Sequence, residues 1–411
     1  MARSSGFGLG GGEGLWAECE DCGLAASHHV LTWLDELTGR LLPHIALSWQ
    51  VEATLDALLE KCFTTMRLAT LRDDFALVDI PLRTACFIKE ARQRGVKFRA
   101  LYGPWGPTNF FRAEVNGRIF RFEGLPIASF RSGYGASRLD DKARTKAHLR
   151  KGGFPVADGR SFWFFQKRQA MAYARHRLGF PVVGKPRSGS VSRHVTTDIH
   201  DGGTLERAIG HAIRYSPAFL IERFIPEAFV HRATVVDFTF VAAVTQLAAH
   251  VIGDGRSTIA GLIGQKNADP RRWDPRQHGF LYAKIAVNEM TQKLLTSRGY
   301  ALTSVPKAGE RVYLERDPFL KLGGDLIEVT PDMHPENVKL FQAIARWFDV
   351  PIVGIDFLAR DISRPWHEQP SAVLELNSLP CIEMHHFPIA GRPQNVARAV
   401  VELFFKYYVS A

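Results

Sequence analysis

The sequence predicts an α/β chain, α+β in arrangement, made of more than one sub-domain, and three observations carry that expectation. Apolar runs of strand length alternate with stretches whose apolar residues recur at three and four. Asn116-Gly117, the preferred pair for a tight primed turn, joins two such runs into a hairpin. Near the end of the chain two short apolar strands, "VGIDFLA" and "VLELN", flank a polar, bent connection. At 411 residues the chain is long enough for two or three sub-domains.

The elements follow in order. Residues 1–14 are glycine-rich and apolar-poor, which predicts disorder. From about 28 to 65 the pattern is helical. "FALVDI" reads as a strand, "RTACFIKEARQRG" as a helix, "KFRALYG" as a strand and "NFFRAEVNGRIFRFEG" as the hairpin. Asp140 or Asp141 caps a basic helix that Gly152-Gly153 ends. "FPVVGKP" is a strand closing on Lys185, followed by the loop "RSGSVSRH", the strand "VTTDI", a helix and the strand "AFLIERFI". Two buried strands lie within 233–251. The polar stretch 264–280 reads as a long mobile loop of the kind that closes over sites. "GDLIEVT", the helix "PENVKLFQAIARWF", the two closing strands and a final helix complete the chain.

The formal net charge of +10 favours anionic partners, yet the basic residues are scattered. No basic arm and no helix-turn-helix spacing accompany them, so nucleotides or carboxylates are better expected than nucleic acid. Five cysteines, an odd number, suit a reducing compartment. No secretory leader is evident at the N-terminus, and the most apolar stretch contains Asp237, so a cytoplasmic protein with no membrane partner is expected. The cluster Cys19, Cys22, His28 and His29 lacks a standard zinc spacing and reads as incidental.

The residues that could carry chemistry begin with Glu375 and Asn377, which share one face of a strand because side chains alternate. Asp356 stands in the neighbouring apolar strand. Three oxygen donors turned to one point suit magnesium, a hard ion that accepts carboxylates and an amide and leaves positions for phosphate. Lys185 closes an apolar strand and leads into a Gly/Ser loop, where an ammonium and loop amides can meet phosphate. The Walker A pattern is absent. Glu222, emerging from another apolar run, is placed to accept from a ribose or frame an adenine slot.

The order D-K-x-x-T-K-x-x-L, G-x-P-V, V-V-x-K-P-x-x-G, L-I-E-x-F-I-P, G-I-D-F and E-x-N-x-x-P resembles that of ATP-grasp domains. "HVIGDGRSTIAGLI", "NADPRR", "VTPDMHPENV" and "GIDFLARDISRPW" closely resemble the ATP-grasp part of cyanophycin synthetases; bifunctional glutathione synthetases share parts of the pattern. The likeness covers roughly residues 138–395. It implies an ATP-grasp fold: an N-terminal extension (1–50, partly disordered), a small α/β domain (51–137), a central lid subdomain (138–222) and a C-terminal subdomain (223–408). It also implies Lys142 and Lys185 on ATP phosphates beside the Gly189 loop, and Glu222 at the nucleotide hinge. Asp356, Glu375 and Asn377 fall on magnesium, with manganese an alternative. Arg232 faces the acceptor side and Arg316 the phosphate.

The chain departs from the family at Gly189-Ser190-Val191-Ser192-Arg193-His194-Val195, where cyanophycin synthetases have G-x-x-G-R-G-V, and at "LERDPFLKLGG". It does not run on into a Mur-ligase-like half. The expected function is an ATP-dependent carboxylate–amine ligase that forms an amide through an acyl phosphate on small amino-acid or peptide substrates. Arg232, Arg271 and Arg272 would hold carboxylates. The altered loop motivates the alternative of a degenerate ATP-binding module acting with a partner ligase, and self-association is left open.

Overall fold

The computed structural model describes residues 26–38, 49–126, 139, 141–189, 194–273 and 281–409. The expected disorder of residues 1–14, Cys19 and Cys22 of the cysteine cluster, and Ser190 to Arg193 lie outside these. The chain divides into two compact units, Met1–Ile45 with Ala157–Pro226, and Ala46–Val156 with Glu227–Ala411.

The first unit is built on an antiparallel sheet of β5 (Gly159–Trp163), β6 (Val182–Pro186), β7 (Thr196–Ile199) and β8 (Ala218–Arg223), in the order β5-β8-β6-β7. Helices α5 (Lys167–Tyr173) and α6 (Gly202–Tyr215) supply its core, in which Ala170, Leu205 and Ile209 meet Phe162, Val182, Phe219 and Ile221. Asp201 caps α6 by accepting from the Thr204 amide. Helix α1 (Ala26–Thr38) packs with this unit although more than a hundred residues separate it from β5.

The second unit holds two sheets. The smaller runs β1 (Thr70–Arg72), β2 (Lys97–Gly103), β3 (Gly106–Val115) and β4 (Arg118–Glu123), with α2 (Trp49–Thr65) and α3 (Leu82–Arg92) alongside. Asn116 and Gly117 both take positive φ at the hairpin tip, as a primed turn requires. "FALVDI" is not a strand: Leu77–Asp79 form a 3-10 turn whose flanks, Phe75 and Ile80, are buried. Pro81 follows and starts α3, so an apolar run that looked like a strand serves instead to anchor a helix start.

The larger sheet is antiparallel, in the order β15 (Asp325–Glu328), β10 (Phe240–Leu247), β9 (Phe229–Val236), β16 (Ile352–Ala359) and β17 (Ala372–Asn377). One face packs on α9 (Pro335–Trp347), where Leu340, Phe341 and Ile344 meet Ala233, Val235, Ile355 and Phe357. On the other, Val236, Ala242 and Ile352 join α3 and α11 (Val396–Phe404) in a core shared with the smaller sheet. Phe87 lies 5.6–5.9 Å edge-on from Phe98, Phe122 and Phe404 there. Each such buried ring contributes about 2–3 kcal/mol, which ties the two sheets into one body.

An appended piece has its own core: α7 (Ile259–Asn267), α8 (Glu289–Ser297), β11 (His250–Ile252), β12 (Arg272–Trp273), β13 (Tyr282–Ala283) and β14 (Arg311–Tyr313). Its helix α7 runs to Asn267 and Arg272 is buried in β12, so the first half of the stretch expected as a loop over 264–280 is anchored structure. Residues 274–280 lie outside the described residues. Helices α4 (Lys142–Lys151) and α10 (Glu383–His386) complete the unit. Among the described residues no helix is long and apolar enough to cross a membrane.

Candidate functional site

One row of cross-strand partners runs over all five strands of the larger sheet: Glu328 opposite Val244, Val244 opposite Arg232, Arg232 opposite Asp356, Asp356 opposite Glu375. Residues directly opposite share a face. Asn377 opposes Gly354, one step along on that face, so Asp356, Glu375 and Asn377 converge. A bulge after Asp356 shifts the register, and Phe357 then pairs with Val373 on the face that packs on α9.

The buried Asp356 carboxylate is held bidentate by Arg232, Nε to Oδ1 at 2.5 Å and Nη2 to Oδ2 at 2.8 Å. The Asn377 amide donates to Asp356 Oδ2 at 3.4 Å. Lys142, first residue of α4, brings Nζ to 3.3 Å from Glu375 Oε2. The cap that starts this helix is Asp141, whose Oδ1 accepts from the amides of Ala143 and Arg144. Burial pushes the Asp356 carboxyl up against the opposing pull of Arg232, and the facing Glu375 carboxylate pushes the same way as burial. Burial alone would lower Arg232; the Asp356 carboxylate overcomes it and holds the guanidinium above its ordinary range.

Two carboxylates side by side, Asp356 buried and Glu375 partly exposed, offer a place for a cation beyond Arg232 and Lys142. Among the described residues no group of three or more His, Cys, Asp or Glu is placed to hold a metal. The set here is two carboxylates and an amide, hard oxygen donors that fit magnesium when phosphate oxygens and water complete its shell.

The first unit brings Lys185 and Glu222 together. Both are buried, on adjacent strands β6 and β8, with Nζ 2.8 Å from Oε2. Gly189 follows β6 at φ +109°, and a Cβ there would stand 2.7 Å from Tyr215 Cε1, so no other residue fits without displacing that ring. At the far end of the same loop His194 is buried at φ +54°.

The arginines divide. Arg316 is exposed after β14. Arg271 is half-exposed and paired to Asp269, with Nη1 also reaching the Ile389 carbonyl at 3.2 Å. Arg272, expected to hold a substrate carboxylate, is instead committed inside the unit. It donates to the carbonyls of Ala283 (2.9 Å) and Gly323 (3.1 Å) and to Asp325. Lys266 reaches the same Asp325 at 2.6 Å. An arginine in a polar, proline-containing stretch reads as exposed because its partner lies 53 residues away.

Two further buried groups, His385 and Glu383, lie near the carboxylate row. His385 is buried, with Nε2 2.8 Å from Thr234 Oγ1 and Nδ1 3.5 Å from Glu328 Oε2; burial pushes its pKa down, with Glu328 pulling the other way. Glu383 is also buried, which pushes its carboxyl up, with Arg83 and Arg232 pulling the other way. The signal available for both was polar residues in an apolar frame, "PCIEMHHFP".

No protein-family model matches the chain. It is 32% identical to a cyanophycin synthetase of Trichormus variabilis over 379 residues, which is 92% of this chain and 41% of the relative. A cyanophycin synthetase of Synechocystis is 36% identical over 267 residues, 64% of this chain and 30% of that one. The bifunctional glutathione biosynthesis protein of Mannheimia succiniciproducens is 29% identical over 335 residues, 80% of this chain and 43% of the relative. The chain thus spans less than half the length of these relatives. Among solved structures, a bifunctional glutathione synthetase from Pasteurella multocida superposes with a TM-score of 0.61 at 23% identity, covering 80% of this chain and 44% of the other. By sequence and by fold the chain is a homologue of cyanophycin synthetases and bifunctional glutathione synthetases, and it carries the ATP-grasp fold.

Proposed function

We propose that this chain is an ATP-dependent carboxylate–amine ligase acting on amino-acid or short-peptide substrates. The observation that carries the reading is the row Arg232–Asp356–Glu375, buried at Arg232 and Asp356, with Asn377 beside it. The reaction needs clamps and positioning more than acid–base machinery. A substrate carboxylate oxygen attacks the γ-phosphorus and ADP leaves. The amine then attacks the acyl carbon, phosphate departs, and the amine proton passes to solvent.

Asp356, Glu375 and Asn377 would hold magnesium, which when bound neutralises charge on the phosphoryl group in transfer. Lys142 and Lys185 would take phosphate oxygens in place of the carboxylates they pair with here. Glu222 would accept from the nucleotide, in a strand whose backbone is fixed by pairing to both β5 and β6. The loop from Gly189 would lie against phosphates. Arg232, released in part from Asp356, would balance the negative charge that gathers on the acyl phosphate, and Arg316 would approach from its exposed segment. The free thiols Cys62, Cys86 and Cys381 are in keeping with a reducing, cytoplasmic setting.

The test is phosphate release from ATP and magnesium against a panel of amino acids and short acidic peptides, with and without a second amine. Release that requires both an acid and an amine supports the ligase. Tight ATP binding with no turnover across the panel would replace it with a nucleotide-binding module.

A further inference from the structure

The smaller sheet of the second unit carries a row of like charges on its outer face. Along β2, β3 and β4 the buried residues Phe98, Ala100, Ala113 and Phe122 alternate with polar neighbours turned away from the core. The register sets Arg99 directly opposite Arg112, and Arg112 directly opposite Arg121. Like charges placed opposite one another weaken a sheet. Helix α2 answers only part of this charge: Glu60 lies 2.9 Å from Arg121 but 3.8 Å from Arg112. Among the described residues neither Arg99 nor Lys97, on the same face of β2, pairs with a carboxylate.

A cleft of about 350 Å³ opens at this row, lined by Arg92, Lys97, Arg99 and Arg112 and by the carboxylates of Asp73 and Glu114. Arg92, the last residue of α3, is held over the Phe75 ring at 5.0 Å. Arg112 Nε is buried and has no hydrogen-bond acceptor among the described residues, which costs free energy unless a ligand supplies one. Four cations against two carboxylates leave two positive charges over. A phosphate monoester carries about −1.5 to −2 near pH 7, with three oxygens for guanidinium forks that reach it from two adjacent strands. The volume falls within the range of small-molecule sites, about 300–1,000 Å³.

We propose that this cleft binds the phosphate group of a small molecule, with Arg99 and Arg112 as its paired forks. None of its residues belongs to the carboxylate row of the larger sheet, so the inference goes beyond the ligase reading and does not depend on it. The facing arginines are then a cost in stability that the bound anion offsets.

The experiment measures binding of glycerol phosphate to the full chain by calorimetry, with magnesium-ADP present in excess to fill a nucleotide site. Inorganic phosphate and succinate serve as further probes. The variants are Arg99→Gln, Arg99→Lys and, as control, Arg94→Gln, which removes the same charge from an exposed residue paired to Glu402 outside the cleft. The expected result is one glycerol phosphate per chain, with a Kd about ten-fold weaker in Arg99→Gln, less weakened in Arg99→Lys and unchanged in Arg94→Gln. Without ligand, Arg99→Gln should melt about 1–2 °C above wild type, because one of two facing like charges is gone. Inorganic phosphate binding as tightly as glycerol phosphate assigns the cleft to free phosphate; weaker binding assigns it to a monoester. Absence of saturable binding, equal weakening in Arg99→Gln and Arg94→Gln, or succinate binding as tightly as either phosphate overturns the proposal. So does an Arg99→Gln chain that melts below wild type, since Arg99 then holds the fold. Failure of ADP to bind would sink the ligase reading and leave this comparison of variants standing.

Discussion

The second unit contains two buried arginine–aspartate pairs, and they are built differently. Arg232–Asp356 stands beside another carboxylate, Glu375, which Lys142 pairs at 3.3 Å, and a neutral amide, Asn377, so two cations there face two carboxylates. Arg272–Asp325 stands beside Lys266 at 2.6 Å and His250 at 3.8 Å, with the carbonyls of Ala283 and Gly323 accepting from Arg272 Nη1. Burial is common to both, but only Arg232 holds its aspartate bidentate; Arg272 reaches Asp325 through Nη2 alone. What separates a pair that can exchange partners from one that only holds structure together is the charge left over around it. A carboxylate with a second carboxylate for a neighbour gains from an added cation; one already crowded by cations does not.

The largest expected effect tests the first pair. Asp356→Asn should lower phosphate release about 10³-fold, since it removes a ligand for magnesium and the anchor of Arg232 together. Its stability should fall only modestly, because Glu375 is near enough to act on the same guanidinium. Activity within ten-fold of wild type would show that the row on β16 and β17 is not where the chemistry is held.

The second pair should show the reverse. Asp325→Asn leaves Arg272 and Lys266 buried against carbonyls alone, and removing one partner from such a cluster costs about 3–5 kcal/mol. Calorimetric unfolding would show the appended α7–β14 piece melting early. Equal melting temperatures for Asp325→Asn and Asp356→Asn would erase the distinction drawn between the two pairs.

These pairs also mark what could be read in the sequence. Asp356, Glu375 and Asn377 were legible because strand alternation is a two-residue rule and each carboxylate broke an apolar run. Lys185 and Glu222 were legible for the same reason, and the structure adds that they pair. The Arg272 cluster was not legible: its four charged or polar members come from β11, α7, β12 and β15, and no local pattern links them. The helix start at Pro81 hid behind "FALVDI", since buried apolar residues look alike in a strand and in the approach to a helix. His385 follows β17 in the chain, but its partners Thr234 and Glu328 depend on sheet order, which composition does not reveal.

Acid separates the charged pairs from the neutral histidines around them. His231, adjacent to Arg232 but on the opposite face of β9, bonds Thr245 Oγ1 through Nδ1 at 2.9 Å and the Ala359 carbonyl through Nε2 at 3.2 Å. Burial pushes its pKa down from 6.5 to about 4. The folded chain thus refuses a proton that the unfolded chain accepts, so the contribution is whole above about pH 6.5 and is lost as pH falls toward 4. The full loss is about 3 kcal/mol, and His231→Asn should flatten the stability profile across that window. An unchanged slope would mean that carboxylates alone set the acid limit.

The smallest effect concerns the neighbour of the buried arginine. Arg271 and Arg272 stand together in the sequence and were expected to act alike, yet only Arg272 is enclosed. Arg271 is half in water, where an ion pair such as that with Asp269 at 2.7 Å contributes about 0–1 kcal/mol. Arg271→Gln should therefore leave the melting temperature nearly where it was, while Arg272→Gln lowers it as Asp325→Asn does. This frees Arg271 for a test that Arg272 does not permit. If Arg271 holds a substrate carboxylate, Arg271→Gln raises KM for the acid and leaves KM for ATP alone; if it is only a solvated loop end, neither constant moves. A change in stability as large as that of Arg272→Gln would show instead that its bond to the Ile389 carbonyl ties the loop to the fold, and that exposure was a poor guide to what this arginine holds.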